Sequence, residues 1–98
     1  GIASAYSGLG DFDKAIEYYQ KAIKIDSSDA STWFYLGSAY LALERHDEAL
    51  AVFKEALKIH KENPFIMNGI SVARYKLKKL NKPVNRLKTV NITKNLIK

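Results

Sequence analysis

The chain has 98 residues, no cysteine and a formal net charge of +6. Its length suits one domain with a modest core, since chains of this size bury somewhat more than about 60% of their unfolded surface. The lack of cysteine excludes a disulfide framework, thiolate zinc sites and cysteine nucleophiles. Charges interrupt every apolar run before it reaches ~18 residues, and no signal-peptide pattern opens the sequence, so we expect a soluble, cytoplasmic protein.

Apolar residues near the start of the chain share one face of a helix predicted at about 13–26. Their positions follow the spacing i, i+3, i+4, i+7, i+10 and i+11, which is typical of an amphipathic helix. These residues are Phe12, Ala15, Ile16, Tyr19, Ala22 and Ile23. The same spacing recurs from His46 to Leu57 and again from Leu80 to Val90. No segment alternates with the period of two that a β-strand needs, so the sequence predicts an all-α fold.

Two further helices are predicted at about Thr32–Leu43 and Pro64–Lys78. Asp29 or Ser31 precedes the first of them, and Asn63 precedes the second. Side chains of these types accept hydrogen bonds from the free N–H groups of a first helical turn. The proline after Asn63 suits the first helical position, where a backbone N–H has no partner.

The last predicted helix starts at Leu80 and is expected to end the structure. Pro83 is acceptable there only because it would fall in a first turn. The apolar stripe from Leu80 to Val90 gives this helix a face that can dock on the preceding helices. Its polar, basic outer side predicts a capping helix that keeps the end of the stack in solution.

The chain contains an internal repeat with a period of 34 residues. The repeated pairs are Tyr6 and Tyr40, Ala15 and Ala49, Tyr19 and Phe53, Ala22 and Ala56, and Ile25 and Ile59. A fixed period of this length indicates one supersecondary unit stacked on its neighbours. Function is then expected on the surface of the stack.

The second copy of the repeat is the most complete. It contains Trp33-x-x-Leu36-Gly37-x-x-Tyr40 and then Ala49-x-x-x-Phe53-x-x-Ala56. This order and spacing resembles the tetratricopeptide repeat, a helix-turn-helix module. The resemblance implies an all-α solenoid of stacked antiparallel helix pairs that forms a right-handed superhelix.

We therefore expect a single domain over residues 1–98, divided by the repeat frame. It comprises a partial first repeat at 1–29 with a truncated opening helix, a complete repeat at 30–63, and a degenerate third repeat at 64–98 that includes the capping helix. The frame suggests a piece of a longer repeat array. A truncated opening helix leaves the stripe of the helix at 13–26 poorly covered, so self-association of such a piece through that stripe is possible as an effect of the truncation.

Members of this family bind other proteins along a groove lined by the first helix of each pair. The resemblance thus implies a non-catalytic interaction module within a larger scaffold or adaptor protein, with a peptide or short helix as ligand. The groove positions are Ser4, Ser7, Ser31, Phe34, Tyr35, Ser38, Leu41, Phe65, Asn68, Val72 and Tyr75. They are apolar or small and neutral, so a ligand with apolar anchors is expected. The alternative for Phe34, Tyr35 and Phe65 is packing against adjacent helices.

Some family members grip the C-terminal carboxylates of heat-shock chaperones with lysine, arginine and asparagine side chains. The corresponding positions here are Ser4, Tyr35, Phe65 and Gly69. None of them supplies the charge-assisted hydrogen bonds on which that grip depends. Heat-shock chaperone tails are therefore not expected as ligands.

Residues that suggest catalysis or metal binding are few. His46, Asp47 and Glu48 open one predicted helix, where acidic groups suit the helix dipole, and His60 closes it, where a cation is favoured. Adjacent residues on a helix point in different directions, so a shared metal ion is not favoured. We found no phosphate loop, nucleophile elbow or metal-spaced histidine pair, and we predict no enzyme activity and no cofactor.

The distribution of charge suggests an alternative function. All ten acidic residues lie between Asp11 and Glu62, and nine basic residues follow. A patch of this kind can bind RNA, an anionic membrane or an acidic protein. The proposed patch consists of Arg74, Lys78, Lys79, Lys82 and Arg86. A solvated terminal helix pair explains the same charges, and only Phe65 and Tyr75 offer stacking surfaces, so nucleic acid is the less favoured ligand.

Overall fold

A computed structural model of the protein describes the backbone of residues 1–97 and the side chains of residues 1–80. Within that part of the chain it consists of helices and turns, without a β-strand. The helices are α1 (Ile2–Gly8), α2 (Phe12–Ile25), α3 (Ala30–Ala42), α4 (His46–Ile59) and α5 (Pro64–Ile97). The predicted all-α fold is confirmed.

Two of the predicted helix starts are held by side-chain caps. The Asp29 carboxylate accepts a hydrogen bond from the backbone N–H of Ser31 at 3.0 Å, so α3 starts after Asp29. The Asn63 side-chain oxygen accepts from the backbone N–H groups of Phe65 and Ile66 at 3.0 and 3.1 Å. Pro64 is the first residue of α5, as its fixed backbone angle favours.

Replacing Asn63 with alanine is expected to lower the free energy of unfolding by about 1 kcal/mol, because two N–H groups of the first turn of α5 lose their acceptor. Urea denaturation followed by circular dichroism measures this change. Ser71→Ala is the matched control, since the Ser71 hydroxyl is exposed and donates only to the Met67 carbonyl of its own helix. Equal stability of Asn63→Ala and the unaltered protein would contradict the cap.

The helices pack in the order in which they follow one another in the chain, and α3 also contacts α5. The connections between consecutive helices contain only three or four residues. Connections this short place neighbouring helices antiparallel. The arrangement is a stack of helix pairs, α1 with α2 and α3 with α4, on which α5 lies.

The turns repeat with the same period as the helices. Gly10 and Glu44, which are one period apart, both have positive φ angles, of 81° and 60°. In each turn the next residue donates its backbone N–H to a tyrosine carbonyl at 2.9 Å, Asp11 to Tyr6 and Arg45 to Tyr40. The repeat therefore includes the left-handed turn conformation, which a glycine adopts without strain and a glutamate does not.

The core runs through the stack along the small residues of α2 and α4. Ala15, Ala49 and Ala56 are completely buried, and Phe53 and Ile66 are the largest side chains that are fully buried. The Phe53 ring lies between Gly37 of α3 and Gly69 of α5, so tightly that a Cβ atom on either glycine would overlap the ring. Gly37 and Gly69 therefore let α3 and α5 both pack closely on the Phe53 ring of α4.

One small residue differs from its repeat partner. Ala22 was expected to pack as Ala56 does, but Ala22 is exposed whereas Ala56 is fully buried. An open cleft of about 560 Å³ lies next to Ala22, between α1, α2 and the start of α3. Self-association through this region stays a prediction.

The C-terminal helix also differs from the expectation. The sequence predicted a turn after Lys78 and a separate capping helix with Pro83 in its first turn. Instead α5 continues as one helix from Pro64 to Ile97, and Pro83 lies in its interior. Residues 74–80 are tyrosine, leucine and basic residues without a glycine or proline, and nothing in them stops a helix. The side chains that would dock the capping helix after Leu80 lie outside the described residues, so that contact stays a prediction.

Candidate protein-binding groove

The first helix of each pair presents a neutral surface. Neither α1 nor α3 contains an aspartate, glutamate, lysine or arginine, and α5 contains none before Arg74. The second helices, α2 and α4, both carry acidic and basic residues. A charged ligand therefore finds no complementary side chain along most of the surface that α1, α3 and α5 share.

An aromatic row crosses this neutral surface; we use that name for Tyr35, Phe34 and Phe65. The Phe34 ring contacts Tyr35 and Phe65 edge-on, with ring centroids 5.8 and 5.9 Å apart, and the buried Phe53 at 6.2 Å. Tyr35 stacks on Tyr19 of α2 at 6.1 Å. Edge-on and offset contacts of this kind are the favoured geometries of aromatic pairs. The row thus links α3 to α5 and rests on the core.

The three residues of the aromatic row differ in how far they are exposed. Phe34 is half-buried against its neighbours, while Tyr35 is 48% exposed and Phe65 is 66% exposed. A cavity of about 220 Å³ opens beside them and is lined by Ala30, Ser31, Phe34, Tyr35, Asn63 and Phe65. It is smaller than the ~300–1,000 Å³ of small-molecule sites and suits one anchoring side chain of a larger ligand.

The other predicted groove residues are less uniform. Ser31 and Asn68 are exposed, and Ser38, Leu41 and Val72 are half-buried. Helical spacing places Asn68 and Val72 on the side of α5 that carries Phe65 and faces α3.

Tyr75 lies at the outer edge of this side of α5, since it follows Asn68 by seven residues and points within about 20° of it. It is 64% exposed and lies nine residues after the buried Ile66. At about 100° per residue, a side chain nine positions further on points to the opposite side of the helix, so Tyr75 points away from the core. It lies at the rim of the groove rather than on its floor.

Ser4 and Ser7 of α1 lie against a tyrosine that the sequence had assigned to the core. Their hydroxyl groups are 3.5 and 3.4 Å from the Tyr19 hydroxyl, and Tyr19 is only 5% exposed. The two serines thus satisfy a buried phenol. The sequence contained one signal for this contact, because Tyr19 is paired with Phe53 in the repeat. The tyrosine hydroxyl needs a polar neighbour, whereas a phenylalanine ring does not.

The predicted basic patch is divided between two sides of α5. Arg74, Lys78 and Lys79 are exposed, whereas Lys82 and Arg86 lie outside the described side chains. By helical spacing, Arg74 and Lys78 share a side with Met67, and Lys79 lies on the side of Phe65. Lys76, which was not included in the patch, is exposed and lies on the Phe65 side as well.

The described residues contain neither a metal site nor a membrane-spanning helix. No group of three histidine or acidic side chains there is arranged to hold a metal ion. His46, which begins α4, is buried at the position equivalent to Phe12 and belongs to the core stripe. None of the described helical segments is both long and apolar enough to cross a bilayer.

Comparison with known proteins supports the interpretation of the repeat. The family model of the tetratricopeptide repeat matches residues 1–64. The TPR repeat-containing protein MJ1428 of Methanocaldococcus jannaschii is 36% identical over 74 residues, which are 76% of this chain and 13% of that protein.

Two fungal proteins are also similar. The small glutamine-rich tetratricopeptide repeat-containing protein 2 of Mycosarcoma maydis is 27% identical over 76% of this chain and 21% of its own length. The general transcriptional corepressor ssn6 of Schizosaccharomyces pombe is 28% identical over 59% of this chain and 5% of its own length. This chain thus spans no more than about a fifth of these relatives. The signature residues, the stacked helix pairs and the match over 1–64 together show that the chain belongs to the tetratricopeptide repeat family.

Proposed function

We propose that this chain is a non-catalytic module that binds a peptide or short helix on the aromatic row, within a larger scaffold or adaptor protein. Tetratricopeptide repeats generally mediate protein–protein interactions. The observation that carries the proposal is the exposure of Tyr35 and Phe65 beside a cavity of about 220 Å³ on a surface without charge. Such a surface favours the apolar anchors of a protein ligand.

The energetics of the aromatic row suit this role. Tyrosine is enriched among the residues that contribute most to protein interfaces, and aromatic residues are common there. Tyr35 and Phe65 are held by contacts with Tyr19 and Phe34, so little side-chain freedom is lost when a ligand covers them. Phe34 supports both of them from below and connects them to the core through Phe53.

A displayed peptide library tests the proposal. Random peptides of about 16 residues are long enough to cross the helices in extended form. We expect selection to yield peptides whose affinity falls about tenfold or more in Phe65→Ser, because an exposed aromatic contact is lost. Fluorescence anisotropy with the labelled synthetic peptides measures the affinities.

Met67→Ser provides the matched control. Met67 lies on the same helix, is 50% exposed and points to the other side of α5. Its replacement removes a similar apolar surface, and we expect affinity within about twofold of the unaltered protein. The proposal is wrong if no peptide is selected, or if both substitutions weaken binding to the same degree.

A further inference from the structure

Lys76 and Lys79 place positive charge on the groove side of α5. They follow Val72 by four and seven residues, and Val72 follows Phe65 by seven. At about 100° per residue, all four side chains fall within an arc of ~60° on the helix. Since Phe65 contacts Phe34 of α3, this arc faces the groove.

The protein supplies no negative partner for these two lysines among its described residues. The ion pairs there join Lys21 to Glu17, Lys58 to Glu55, and Arg45 to Asp13 and Glu48, and none of them includes α5. No acidic residue follows Glu62 in the sequence, and α1 and α3 have none. The groove is therefore neutral over most of its surface and positive at one edge.

We propose that the ligand is an acidic peptide segment, with an apolar anchor on the aromatic row and carboxylates beside Lys76 and Lys79. This inference rests on the proposed function, because it assigns the chemistry of the ligand for the same groove. Complementary charge across an interface orients the ligand and speeds association, and it rejects ligands of the wrong sign.

The geometry also sets the spacing within the ligand. Phe65 and Lys76 are 11 residues apart on α5, which corresponds to about 16 Å at the helical rise of ~1.5 Å per residue. An extended peptide covers that distance in about five residues. A ligand that runs along α5 is thus expected to carry its acidic residues about five positions from its apolar anchor.

A peptide explains this arrangement better than a nucleic acid or a membrane does. Lys76 and Lys79 share their side of α5 with Phe65 and Val72, whereas Arg74 and Lys78 lie on the other side. A polyanion, which responds to total charge, would use both pairs of basic residues. A mixed acidic and apolar segment needs only the pair next to the aromatic row.

The test uses the tightest peptide from the display experiment, synthesised with a fluorescent label. We expect acidic residues about five positions from its anchor, and their replacement by glutamine should weaken binding about three- to tenfold at low salt. Raising the salt from about 20 to 500 mM should remove most of this difference, because the Debye length falls well below 10 Å. The Lys76→Gln/Lys79→Gln protein should bind both peptides equally.

The Arg74→Gln/Lys78→Gln protein is the matched control, with the same change of charge on the same helix. It is expected to keep the preference for the acidic peptide. Selected peptides without acidic residues, or a preference that both double variants reduce equally, would overturn the inference and leave the proposed function standing. Equal binding of oligouridine or phosphatidylserine vesicles would overturn it in favour of a general polyanion surface. If the selection yields no peptide at all, the proposed function itself is wrong.

Discussion

Replacing Phe53 with alanine is expected to lower the free energy of unfolding by about 3–5 kcal/mol. The Phe53 ring is completely buried and lies between Gly37 and Gly69, with Phe34 beside it. Its removal leaves a cavity where three helices meet, and glycines cannot fill that space from either side. Small domains are stable by only about 5–15 kcal/mol, so a loss of this size brings the protein close to unfolding. Urea denaturation followed by circular dichroism measures the change.

Phe65→Ala is the matched control for Phe53→Ala. It removes the same chemical group, but Phe65 is 66% exposed. We expect a loss of less than about 1 kcal/mol, since most of that ring is already in contact with water. Similar losses at the two positions would show that Phe53 does not hold α3, α4 and α5 together.

Gly37→Ala is expected to destabilise the protein by about 1–3 kcal/mol, because the new methyl group overpacks the core. An alanine inside a helix is ordinarily favoured over glycine by about 1 kcal/mol, so the sign of the effect distinguishes packing from helix propensity. The Phe53 ring cannot move away from the methyl group. On its other side it meets Gly69, where a Cβ atom would lie 2.6 Å from the ring.

Two further variants separate the causes. Gly8 is the last residue of α1 and has open space where a Cβ atom would be, so Gly8→Ala should be neutral or stabilising by up to about 1 kcal/mol. In a Phe53→Leu background, Gly37→Ala should cost at least about 1 kcal/mol less than it does alone, because the smaller side chain makes room. Additive losses in the double variant would mean that the contact with Phe53 is not the cause.

The same core contact connects stability with binding. Phe34 touches Phe53 on one side and both Tyr35 and Phe65 on the other. The residue beneath the aromatic row, Phe53, therefore belongs to the core. The geometry of the row depends on how Phe53 fits between the two glycines, although Phe53 itself is fully buried and does not touch a ligand.

The sequence by itself determined the all-α fold class, the helices α2 to α4, the caps of α3 and α5 and the period of the stack. These features depend on spacing along the chain, such as the stripe that contains Ala15 and Tyr19 or the cap that Asn63 provides. The 34-residue period also identified the family, because its residues occur in a fixed order. Local rules were sufficient at this level, since each feature is formed by residues close in sequence.

Exposure and neighbours were decided by the tertiary structure. Ala22 and Ala56 are equivalent in the repeat, yet Ala22 is exposed and Ala56 is fully buried. The aromatic row connects Tyr35 to Phe65 through Phe34. The repeat equivalents of Tyr35 and Phe65 are Gly69 and Ser31, so no periodic pattern predicts this connection. The physical reason is the same in both cases: a side chain's surroundings come from other helices, and the packing of those helices is not encoded in the residue's own segment.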